Sequence, residues 1–188
     1  MALKPITAAT ELPITLAEAK AQANVIGTDD DDKITAFIWA ATAIAEQLTE
    51  RAVTTQTGEL TLDAFPDALK LTRTPVQSIS SITYADAAGA STVLDSSAYA
   101  LDNADAFGPA YVVPAYATSW PATRDQINAV AVRFVAGYAS AAAVPPGIKN
   151  WIKLMVAAMV DNPSGLADGK FKSLGYVDRL LDGAKVYG

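Results

Sequence analysis

Residues 29–62, DDDDKITAFIWAATAIAEQLTERAVTTQTGELTL, hold two periodicities back to back. In the first part Ile34, Phe37, Ile38, Ala41, Ala45 and Leu48 recur at the spacing of one helix face. The aspartates ahead of them suit a helix N-terminus, where the peptide dipoles leave partial positive charge. From Thr54 the chain turns to Thr, Gln, Gly and Leu with partial alternation, which is strand character. A helix that hands over to strands within a few residues predicts an α+β fold, with the two kinds of structure segregated along the chain.

Working outward, Thr15-Leu16-Ala17-Glu18 is a capping box opening a helix to about Asn24, with Gly27 beyond its end. Downstream, Val76 to Tyr84 reads as a strand that returns through the Asp86–Gly89 turn into Ser91 to Leu94. Pro66, Pro75, Pro109, Pro114 and Pro121 punctuate short strands and loops. Ala129 to Tyr138 is the clearest strand, with Val130, Val132, Phe134 and Ala136 on one face and Arg133 on the other. Pro145-Pro146-Gly147 opens a last long helix, striped by Ile148, Ile152, Met155, Val156 and Met159 and ended by Asn162-Pro163.

The pattern divides the chain into an N-terminal helical part (1–53), an inserted β-rich region (54–140), a C-terminal helix (141–163) and a docking arm (164–188). The two long helices are expected to form a small α-helical hub that buries Ile34, Phe37, Ile38, Leu48, Ile152, Met155 and Met159.

Composition removes much chemistry. The 188 residues include no cysteine and no histidine, which excludes disulfides, thiolate metal sites and imidazole acid–base catalysis. A formal net charge of -6 argues against gripping a phosphate backbone. Met1 to Leu12 lacks the pattern of a signal peptide. Ile148 to Val160 is too short for a bilayer and carries Lys149 and Lys153, so no membrane partner is expected.

The Asp29–Asp32 run lacks the glycine and glutamate of an EF-hand loop and reads as a helix start. Asp102 and Asp105 form the nearest approach to a carboxylate pair, in a loop where aspartates commonly make turns. Gly165 to Lys170 falls short of a phosphate loop, because Phe171 stands where a magnesium-binding hydroxyl belongs. No catalytic, cofactor or metal site is therefore expected, and no enzyme.

Trp39 and Trp151 lie beside the apolar stripes of their helices and are expected at subunit interfaces, where Trp is a frequent anchor. In the arm, Leu166, Phe171, Leu174, Tyr176, Val177, Leu180 and Leu181 supply apolar anchors, alongside Lys170, Lys172, Asp178 and Arg179. A flexible polar strip has little reason to keep such groups without a partner, so docking on a neighbouring subunit or another protein is expected.

The order of these motifs resembles phage head–tail connector (adaptor, head-completion) proteins. Leu12-Pro13-Ile14-Thr15-Leu16-Ala17-Glu18-Ala19-Lys20 is similar to the family's opening, followed by an acidic run and an alanine-rich helix. Thr49-Glu50-Arg51 and Thr55-Gln56-Thr57-Gly58-Glu59-Leu60 resemble its next elements, with Gly58 where an aromatic is usual. Ser119-Trp120-Pro121, the strand ending in Ala136-Gly137-Tyr138, the helix start Val144-Pro145-Pro146-Gly147-Ile148-Lys149 and the closing Val177-Asp178-Arg179-Leu180-Leu181 follow in the same order.

The resemblance implies a virion neck subunit, assembled in the host cytoplasm into a ring of about a dozen copies. The ring would meet the portal protein on one side and a tail-side terminator on the other. DNA would pass through its lumen without specific binding. Three other readings are open: a tail-completion protein of the same particle, a carbohydrate-binding or adhesion module built on Tyr111, Tyr116 and Trp120, and a hydrolase using Asp102 and Asp105.

Overall fold

The computed structural model describes residues 2–105, 108–162 and 175–186, the side chains of residues 175 and 176 aside. The fold is α+β.

The capping box forms as read. Thr15 Oγ1 accepts from the Glu18 amide at 3.2 Å, and Glu18 Oε2 accepts from the Thr15 amide at 2.8 Å, starting α1 (Leu16–Gln22). The acidic run starts α2 (Asp31–Thr49), and the proline pair starts α3 (Pro146–Asp161). These three helices pack on one another. Their shared core holds Ile14, Ile34, Ile38, Ala41, Ala45, Ile148, Trp151, Ile152 and Val156. Lys153 reaches across from α3 to Glu18 at 2.8 Å.

Phe37, Met155 and Met159 are half-buried, but Leu48 is 46% exposed and is not a core residue. At that end of α2 the inward position belongs to Thr49, four residues after Ala45. The buried hydroxyls of Thr42 and Thr49 are satisfied on the carbonyls of Ile38 and Ala45, both at 2.7 Å.

The β region has two antiparallel layers. Five strands, β1 (Ala2–Thr7), β2 (Gln56–Leu62), β4 (Val76–Ala85), β5 (Ser91–Val93) and β8 (Val130–Ala136), line up as β1-β2-β8-β4-β5. Three shorter strands, β3 (Leu69–Leu71), β6 (Tyr99–Asp102) and β7 (Ala110–Pro114), line up as β3-β7-β6. Alternation on β8 buries Val130, Val132, Phe134 and Ala136, while Arg133 turns outward to Glu59 at 2.6 Å. Leu60 and Ile82 join that face, and Leu69, Leu71 and Val112 come from the second layer to close one core.

β1 was not anticipated. All six of its residues are exposed, so its placement rests on backbone pairing to β2.

The chain's last described stretch, α4 (Gly175–Arg179) and the 3-10 turn Asp182–Ala184, lies against the hub.

Candidate functional site

Side chains of the expected chemical candidates serve local structure. Asp31 is held by Lys20 at 2.5 Å, and Lys20 also donates to the Gly27 carbonyl, so the acidic run is tied to the preceding turn. Asp102 accepts from the Ala104 amide at 3.2 Å, and the Asp105 carboxylate folds back against Gly108. Among the described residues no cluster of three or more acidic groups is placed to hold a metal ion. No helix among them is long and apolar enough to cross a membrane.

Of the aromatics weighed for sugar binding, Trp120 is drawn into a cluster on the β core. Trp120 stacks on Phe65 with ring centroids 4.7 Å apart, and Tyr84 meets Phe65 edge-on. Tyr116 stands alone and fully exposed, on a turn pinned by Thr118 Oγ1 to the Ala115 carbonyl at 2.7 Å.

The two tryptophans part company. Trp151 is 1% exposed and belongs to the hub core, where its indole N–H donates to Asp178 at 3.3 Å. It is not a surface anchor: α4 covers the flank of α3 that the sequence leaves bare. Trp39 is half-buried and lines an open groove of about 190 Å³ with Pro5, Ala8, Ala9 and Ala43. This groove lies where β1 leaves the sheet and crosses α2. Exposed apolar side chains elsewhere include Ile26 at 98% and Ile127 at 80%.

The arm is also corrected in part. Val177, Leu180 and Leu181 pack on the chain's own hub, with Leu181 fully buried, rather than standing free for another protein. Asp178 and Arg179 are exposed overall, although the Asp178 carboxylate reaches the Trp151 indole. Leu166, Lys170, Phe171, Lys172 and Leu174 lie outside the described residues, as does the Tyr176 side chain.

Sequence reasoning missed the residues that join the two halves. Arg51 follows Glu50, the left-handed residue ending α2, and is 1% exposed. Its Nε donates to the Ala184 carbonyl, its Nη1 lies 3.4 Å from Thr74 Oγ1, and its guanidinium hydrogen-bonds Tyr138. Burial pushes the Tyr138 hydroxyl above its ordinary pKa, against the opposing pull of Arg51. Beside it, Glu46 Oε1 accepts from the Val53 amide and from Gln56 Nε2, each at 2.7 Å. Burial raises the Glu46 pKa, partly offset by the Val53 amide and the Arg73 charge.

Strand exits complete the joint. The Ala52 amide donates to the Thr74 carbonyl at 3.0 Å and the Gly137 amide to Pro75 at 2.8 Å. Gly137 has φ +109° and its Cα faces the Thr54 carbonyl, so a side chain there would collide with backbone. The signal available in the sequence was a single arginine between a helix and a strand, in the Thr49-Glu50-Arg51 element.

No family model matches the chain, and no curated protein sequence matches it either. Three solved structures share its fold over 100% of this chain and 97% of theirs. They are the neck of an empty gene transfer agent particle computed with C6 symmetry (22% identity, TM-score 0.82), the virion of a native gene transfer agent particle (23%, 0.81), and the neck of a native particle computed with C12 symmetry (24%, 0.74). What this chain shares with them is the complete fold, helical hub and two-layered β region together.

Proposed function

We propose that this chain is a structural subunit of the neck of a phage-like particle: a head–tail adaptor that closes into a ring between portal and tail. One observation carries the reading: the end-to-end likeness to chains of gene transfer agent necks, which spans hub, β region and C-terminal segment alike. The ordered motifs resembling head–tail connectors support it independently.

A ring of about a dozen copies needs a heterologous interface, in which one face of a subunit meets a different face of the next. The Trp39 groove supplies one such face, and exposed Tyr116 and Ile127 lie far from it in sequence. The arm residues before α4 are assigned to the portal or to the adjacent copy. A net charge of -6 suits a lumen through which DNA moves without sticking. Such a conduit needs no catalytic residue, and the chain is read as no enzyme.

Deleting the chain from particle-producing cells tests the assignment. DNA-filled heads without attached tails are expected. Complete, infective or transducing particles would contradict it.

A further inference from the structure

We infer that residues 177–186 form a clasp whose seating holds the joint between hub and β region, with Arg51 as the positioning residue that couples the two. The clasp is bound by several independent contacts. Leu181 and Ala184 enter the hub core, Asp178 accepts from the Trp151 indole, and the Val186 amide donates to the Thr49 carbonyl at 3.1 Å. Gly147 lets it approach closely: a Cβ there would stand 2.5 Å from the Leu180 carbonyl oxygen.

The joint is a separate set of bonds, Arg73 Nη1 on the Glu46 carbonyl at 3.5 Å and on the Arg51 carbonyl at 3.2 Å and the Ala52 amide on Thr74, flanked by the Gly137–Pro75 bond between the ends of β8 and β4. One side chain belongs to both sets. Arg51 donates to the clasp through the Ala184 carbonyl and to the joint through Thr74 and Tyr138. A guanidinium is always charged, and a buried one that loses an acceptor must find another or draw in water. Lifting the clasp therefore removes one acceptor and admits water to the site, which loosens the hold of Arg51 on Thr74 and Tyr138.

The test is residue-resolved amide exchange by NMR on the full chain, comparing wild type, Gly147→Ala, Arg51→Met and the double variant. Alanine is a better helix former than glycine, so Gly147→Ala leaves α3 sound while wedging the Leu180 carbonyl outward. Exchange of the Ala184 and Val186 amides should rise, and that of Ala52 and Gly137 should rise with it by about tenfold or more. In the Arg51→Met background the wedge should add nothing at Ala52 and Gly137. A chain truncated after Leu181, which lacks the Ala184 carbonyl, should loosen the same two amides even if alanine is accommodated at 147. Clasp amides that open while Ala52 and Gly137 keep wild-type exchange would overturn the inference. So would a wedge effect of equal size with and without Arg51, or a truncated chain with an unaltered joint. None of these readouts depends on ring formation, so they stand apart from the neck assignment.

Discussion

Glu46 shows how one residue can be decided by burial rather than by charge. Its carboxylate is the acceptor for the buried Val53 amide, so Glu46→Ala should cost about 1–3 kcal/mol in urea unfolding by orphaning that N–H. Glu46→Gln keeps an acceptor oxygen and should be far milder. The pH dependence follows from the raised pKa. The folded state binds this proton more tightly than the unfolded one, so its stabilising contribution is complete below about 4.5 and is lost as pH rises through the folded value. Glu46→Gln should therefore flatten the fall of stability above pH 4.5, and an unchanged slope would show that Glu46 does not titrate there.

Trp151 makes the complementary case, since it has a large apolar body with its one polar atom bonded to Asp178. Trp151→Ala should cost about 3–5 kcal/mol, whereas loss of an exposed interface residue would leave the monomer unmoved. Gly58 is explained by its neighbour. The Phe134 ring lies 3.4 Å from where a Cβ would stand and covers the bare backbone there.

At the scale of elements, the N-terminus of α1 is the sharpest case. Glu18 accepts from Lys153 and from the Thr15 amide, and these hold its pKa down to about 2 from 4.5. A depressed carboxyl stabilises the fold above its unfolded value, and that stabilisation disappears as pH falls from 4.5 toward 2. Glu18→Gln should remove this acid-side step, and Thr15→Ala should cost about 1 kcal/mol at neutral pH. Urea titrations across that range would show either effect.

Elements written in local sequence were legible: the capping box, the acidic start of α2, the proline start of α3 and the alternation of β8. The core faces of α2 and α3 were also legible, apart from Leu48 and Met159: the inward face at the end of α2 shifts to Thr49, and at the end of α3 it is Val160 that packs on the hub. What stayed hidden depends on distant partners. β1 is exposed along its length and is defined by pairing with residues 57–61, so no alternation announces it. Arg51 is buried because its acceptors arrive from residues 74, 138 and 184. Trp151 looked free because its cover comes from α4, past the break at Asn162-Pro163.

For the whole molecule, fold and charge point the same way. The helical hub and the two-layered β region each bury their own core, and the joint at Arg51 connects them. Among the described residues the surface carries isolated apolar side chains and the Trp39 groove, and no cluster of acidic groups fit to hold a metal. In the proposed ring these exposed groups would be the ones that meet neighbouring subunits. Trp39→Asp, which leaves the hub core intact, should weaken subunit association without lowering monomer stability by more than about 1 kcal/mol.

The central claim is cyclic assembly in a particle neck. Native mass spectrometry with negative-stain imaging of the purified chain, alone and mixed with portal-bearing heads, tests it most directly. A closed ring with a central channel, formed in solution or on the portal, is the predicted result. A chain that remains monomeric at high concentration and adds nothing to portal-bearing heads would contradict the account.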